Sequence, residues 1–138
     1  MKTKLILLTS IIVVMSLCLF GCSSGGSVAP SEVSVDESYN GKQVEIAVDG
    51  TLTVTLESNQ TTGFQWELTS ISDQSVLEKE SNTYEDPEDT GMVGAPGKEV
   101  WIFKALKKGT STISMEYSRP WEGGEKGAET FTLNVAVK

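Results

Sequence analysis

The chain contains no histidine and only two cysteines, Cys18 and Cys22. Without an imidazole there is no Ser-His or Cys-His pair, and most metal-water hydrolytic sites lose their usual ligand and base. No serine–lysine spacing suited to catalysis takes their place. Basic residues are also few, 11 Lys and Arg against 19 Asp and Glu, for a net charge of −8. An acidic surface repels phosphate backbones, which argues against a nucleic-acid partner. No internal repeat and no helical periodicity are visible. These absences exclude the common enzyme classes and point to a protein that acts by contact.

The N-terminus reads as an address. Lys2 and Lys4 precede an apolar run from Leu5 to Phe20 that only Thr9, Ser10 and Ser16 interrupt. The run is shorter than the roughly 20 residues that span a bilayer, and it has the basic-then-apolar order of an export signal. It ends in Leu19-Phe20-Gly21-Cys22, which resembles a bacterial lipobox, with Phe20 bulkier than usual before the glycine. That resemblance implies a lipoprotein signal peptide over residues 1–21, lipid attachment at Cys22, and an exported chain anchored to the outer face of a cell membrane or to an outer membrane. Loss of 21 of 138 residues leaves 117, enough for one hydrophobic core. Cys18, Lys2 and Lys4 leave with the signal, so nine basic residues remain against 19 acidic ones, a balance of −10. No thiol is then free for a disulfide, a metal or a nucleophile. The acidity either keeps the domain soluble or steers it to a basic partner.

Residues 22–38 are rich in Ser, Gly and acids and read as a flexible tether, leaving 39–138 as the folded domain. From there period-2 alternation runs to the end. Val44, Ile46 and Val48 alternate, Asp49-Gly50 gives a hairpin signal, and Leu52, Val54 and Leu56 alternate again. Phe64-Trp66-Leu68, Val76 to Tyr84, Trp101-Phe103-Ala105, Ile113-Met115-Tyr117 and Phe131 to Val137 follow. About seven strands with regular turns predict an all-β fold, an immunoglobulin-like antiparallel β-sandwich without the cysteine pair of antibody domains.

Three loops interrupt the strands. Asn59-Gln60-Thr61-Thr62-Gly63-Phe64 reads on its own as a turn, with Asn59 bracing it, Gly63 free to take positive φ and threonine hydroxyls able to bond inward or outward. Gly91-Met92-Val93-Gly94-Ala95-Pro96-Gly97 would let another backbone approach closely, or serve as a plain connector. Ser118 to Ala128 is longer than the two to five residues of ordinary hairpin loops and holds Arg119-Pro120-Trp121. Trp121 beside Arg and a rigid Pro has the composition of a binding hot spot; equally, Trp121 can fold back to cap the core and Arg119 can pair with a carboxylate.

In order, these motifs resemble the chagasin-like family of cysteine peptidase inhibitors, with its Asn-Pro-Thr-Thr-Gly-Tyr/Phe motif, glycine-rich middle motif and Arg-Pro-Trp/Phe motif. The likeness covers about Val44 to Lys138 and includes the Trp101 to Ala105 run. It implies a monomeric, reversible inhibitor, without cofactor or metal, whose three loops gather at one end and wedge into a papain-type active-site cleft. Thr61 and Thr62 would lie over the catalytic cysteine and histidine, with Asn59, Gly63 and Phe64 completing that loop. Gly91, Gly94 and Gly97 would line one side of the cleft, and Arg119, Pro120 and Trp121 the other. Gln60 replaces the family's proline, and Ala95-Pro96 is inserted in the middle motif. The alternative is an exported binding module for a carbohydrate or another surface protein. Glu85, Asp86, Glu88 and Asp89 would be its oxygen ligands for calcium, although they lack the spacing of a dedicated calcium loop.

Overall fold

Apolar side chains at every second position can be buried only if two sheets face each other, and that is the arrangement found. A computed structural model describes residues 26–88, 91 and 93–138; the segment read above as an export signal and Cys22 lie outside the described residues. Among the described residues eight strands form two four-stranded sheets: β1 (Glu32–Val35), β2 (Gln43–Ile46), β3 (Thr51–Ser58), β4 (Gln65–Ile71), β5 (Leu77–Glu85), β6 (Gly97–Ala105), β7 (Gly109–Ser118) and β8 (Glu129–Val137). One sheet has the order β1-β3-β6-β5 and the other β2-β8-β7-β4. Leu52, Val54, Leu56, Trp101 and Phe103 from the first sheet and Ile113, Met115, Phe131 and Leu133 from the second are buried in one core. Burial at about 25 cal/mol per Å² of apolar surface is the main favourable term for a chain without a disulfide in this domain.

The predicted sandwich is observed, with one strand more than the seven expected and two differences in detail. Residues 32–35 are not tether: Val33 and Val35 alternate toward the core, and β1 pairs in parallel with β3 from Glu32↔Thr51 to Val35↔Val54. Asp36 then caps a short 3-10 turn, Glu37–Tyr39, by accepting from the Ser38 N–H at 2.9 Å. The folded region therefore begins within the segment assigned to the tether. Asp49-Gly50 is a tight turn, as its residue types require, but it does not close a hairpin. β2 pairs in parallel with β8, while β3 pairs with β1 and β6, so the turn carries the chain from one sheet to the other. Asp49 takes φ 64°, and a side chain on Gly50 would lie 2.7 Å from the Ala47 carbonyl oxygen.

Strand register places the three loops. Ser58 at the end of β3 is opposite Gly97 at the start of β6, and Lys98 is opposite Glu85 at the end of β5. Gln65 at the start of β4 is opposite Ser118 at the end of β7. The β3–β4, β5–β6 and β7–β8 connections thus leave the sandwich at one pole. Chain entry at Glu32, the Asp49-Gly50 turn and the C-terminal end of β8 lie at the other.

Candidate functional site

The central loop is built by its own polar groups. Gln60–Thr62 forms a 3-10 turn capped by Asn59, whose side-chain oxygen accepts from the Thr61 N–H at 3.2 Å. The hydroxyl of Thr61 donates to the same oxygen, and that of Thr62 to the Asn59 carbonyl at 2.6 Å. Gly63 ends the turn in the left-handed region, φ 81°, which favours glycine. Both threonines are exposed, and both hydroxyls are turned inward. The loop therefore offers methyl groups and a fixed backbone at the centre of the pole.

The flanking loops are tied to it. The Asn59 side-chain amide donates to the Gly94 carbonyl at 3.1 Å, joining the second loop to the first. Gly91 and Gly94 adopt φ 68° and 83° with open space where a side chain would begin, so backbone conformation is what demands glycine there. Between them Val93 is fully exposed. Gly97 differs from the contact role predicted for it. It is a buried residue of β6, and a Cβ there would collide with the Glu85 carbonyl and the Tyr84 hydroxyl, so it lets β5 lie against β6.

In the third loop Gly124 N–H donates to the Trp121 carbonyl at 3.0 Å, Arg119 N–H to the Glu125 carbonyl at 2.7 Å, and Gly127 N–H to the Ser118 hydroxyl at 2.9 Å. The long connection is internally hydrogen-bonded along its length. Among the described residues Arg119 pairs with no carboxylate. Its guanidinium lies 4.4 Å from the centre of the Phe64 ring and 5.9 Å from that of Trp121, and its Nε approaches the Thr62 carbonyl at 3.4 Å. Trp121 does not cap the core: it is 52% exposed, and its six-membered ring covers Gly63 so closely that a Cβ there would clash. Pro120 is exposed beside it.

Two supporting residues went unnoticed in the sequence. The Tyr117 hydroxyl accepts from the Asn59 N–H at 2.8 Å, and its ring packs on Phe64 and Trp66, each 5.2 Å away between ring centres. Glu99 is buried beneath the central loop, and one of its carboxyl oxygens accepts from the Ser58 hydroxyl at 2.7 Å and the Trp66 N–H at 2.9 Å. An acid at an inward position of the 99, 101, 103, 105 alternation was the available signal for it. Among the described residues no group of three or more acids, cysteines or histidines is placed to hold a metal ion, and Glu85, Asp86 and Glu88 are exposed.

A rigid sandwich that displays three cross-tied loops at one pole, with an exposed tryptophan and valine on either side of a capped turn, defines a recognition protein that works by surface contact. The comparisons with known proteins narrow this class. Residues 45–135 match the family described as Chagasin family peptidase inhibitor I42, and the chain belongs to that family. It is 33% identical over 95 residues to amoebiasin-2 of Entamoeba histolytica, covering 69% of this chain and 76% of that protein. To chagasin of Trypanosoma cruzi it is 32% identical over 102 residues, covering 72% and 92%. The crystal structure of the cysteine protease inhibitor EhICP2 from Entamoeba histolytica is similar with a TM-score of 0.68 at 28% identity, covering 78% of this chain and 96% of that one.

Proposed function

We propose that this chain reversibly inhibits papain-family cysteine peptidases by filling the active-site cleft with the three-loop pole. The observation that carries the reading is the register-driven convergence of the three loops, locked by the Asn59–Gly94 and Arg119–Phe64 contacts, in a member of a peptidase-inhibitor family. In this reading Thr61 and Thr62 cover the catalytic cysteine and histidine, Gly91 to Gly94 run along one wall, and Pro120 and Trp121 pack on the other. Arg119 and Asn59 hold the loops in place from within. Three loops of this size can bury on the order of 800 Å² per partner, the area of a standard tight complex. Occlusion needs no chemistry from the inhibitor, in keeping with a chain that has no histidine.

Titration of papain with residues 23–138, followed by substrate cleavage, tests the proposal. Reversible, stoichiometric loss of activity is expected at or below micromolar inhibitor; full activity at that concentration would refute it. We also propose that the chain is exported and held to a bacterial membrane surface by lipid on Cys22. The lipobox-like Leu19 to Cys22 supports this, as does chain entry at the pole opposite the loops.

A further inference from the structure

We infer that Glu99 is a positioning residue for the inhibitory pole: its buried carboxyl group clamps the two legs of the central loop and so fixes Thr61 and Thr62 before a peptidase arrives. The alternation of β6 turns residues 99, 101, 103 and 105 inward, and three of the four are apolar or aromatic. Glu99 is the exception, with 4% of its surface exposed. Burying a carboxyl group is unfavourable unless it meets hydrogen-bond donors, and here one oxygen takes two.

The two donors come from opposite sheets. Ser58, itself 1% exposed, is the last residue of β3 and begins one leg of the loop. Trp66 lies in β4, the edge strand of the other sheet, where the loop's second leg ends. An edge strand leaves alternate N–H groups without a ladder partner, and the Trp66 N–H is taken up by Glu99 at 2.9 Å across the sandwich. The Trp66 indole repeats the crossing, donating to the Glu57 carbonyl at 2.9 Å. Chain separation at the base of the loop is thereby set by side chains spanning two sheets that share no ladder at this point. Above the clamp, Tyr117 holds the Asn59 N–H and the internal bonds of the turn take over. A loop ordered before binding loses less conformational entropy when it docks and needs no rearrangement on encounter.

The rate measurements rest on the inhibitory reading; amide exchange in the free chain does not, so the two can fail separately. Glu99→Leu removes both acceptor contacts at similar volume, and Glu99→Gln keeps an oxygen for them. Hydrogen exchange of residues 60–64 in the free protein is expected to accelerate in Glu99→Leu, and the association rate with papain to fall about tenfold. Glu99→Gln should restore both to within about threefold of the wild type. Ile46→Val, a core change at the opposite pole, serves as the control: it lowers the melting temperature without altering exchange in the loop or the association rate. Unchanged loop exchange in Glu99→Leu, or effects equal to those of the control at matched stability, would overturn the assignment. If Glu99→Leu does not fold, Ser58→Ala removes one donor alone. Faster loop exchange is expected in that variant, and wild-type exchange would equally overturn the clamp.

Discussion

At the scale of single residues, Trp121 combines two roles that composition alone could not separate. Its ring covers Gly63, which fixes its orientation, and about half of its surface still faces solvent. An aromatic held in place and only partly covered is what a hot spot needs, since little side-chain freedom remains to be lost. Trp121→Ala is expected to raise the inhibition constant against papain by about 30-fold, near 2 kcal/mol. A wild-type constant would remove Trp121 from the contact surface. Charge behaves differently at Asp36 and Asp73. Hydrogen bonds from Ser38 and from Ser75, respectively, stabilise each ionised carboxylate and hold its pKa below the ordinary 3.8. A depressed folded-state pKa contributes stability that is complete above the unfolded value and is lost as pH falls through the folded one. The melting temperature should therefore drop below about pH 4. Asp73→Asn should make the acid limb shallower; an identical pH profile in that variant would show that Asp73 adds nothing.

At the scale of elements, the central loop shows what the proline of related motifs would do. Gln60 is the first residue of the 3-10 turn, where a missing N–H costs nothing, and Asn59 before it is extended in φ at −114° with ψ 88°. Gln60→Pro is thus compatible with the backbone and restricts the unfolded chain, so stability should rise by about 0.4–1 kcal/mol with a slightly tighter inhibition constant. A lower urea midpoint would mean that the turn needs a backbone that proline forbids. Seven of the strands were legible, six of them from alternating apolar residues and β5 more weakly as the run from Val76 to Tyr84. β1 was hidden: in a Ser-, Gly- and acid-rich segment only Val33 and Val35 mark it, and its partner β3 is joined through a parallel register that no local pattern reports. Asp49-Gly50 was read correctly as a turn and incorrectly as a hairpin, because residue types fix φ while sheet membership is decided by distant strands. The three loops were legible as motifs, whereas Glu99 and Tyr117 were not, since their importance lies in contacts across 33 to 58 positions of sequence. Starting the chain at Tyr39, the boundary expected from composition, deletes β1 and the buried Val35. Relative to a chain starting at Gly26 it should lose about 2 kcal/mol or more in urea unfolding; equal midpoints would make β1 dispensable.

At the scale of the whole molecule, polarity of the sandwich bears on how the inhibitor would meet its target under the lipid anchoring proposed for Cys22. β1 runs parallel to β3 with Glu32 beside Thr51, so the chain enters at the pole farthest from the loops. Ala47 N–H donates to the Pro30 carbonyl and Thr51 N–H to the Ser31 carbonyl, each at 2.8 Å, which fastens the entry point to that pole. The eight residues of β3 then separate the poles by about 26 Å. A lipid on Cys22 would accordingly attach at the pole opposite the loops, which lie about 26 Å beyond chain entry. A peptidase docking on the loop pole would meet no membrane whatever the tether length. The lipidated full chain in phosphatidylcholine vesicles should inhibit papain with a constant within about threefold of that of the soluble Cys22→Ser protein. Deletion of residues 23–28 should leave that constant unchanged, because orientation rather than reach provides access. Loss of inhibition on the vesicle surface would refute outward presentation, and a Cys22→Ser chain that stays with the membrane fraction of the producing cell would refute the lipid.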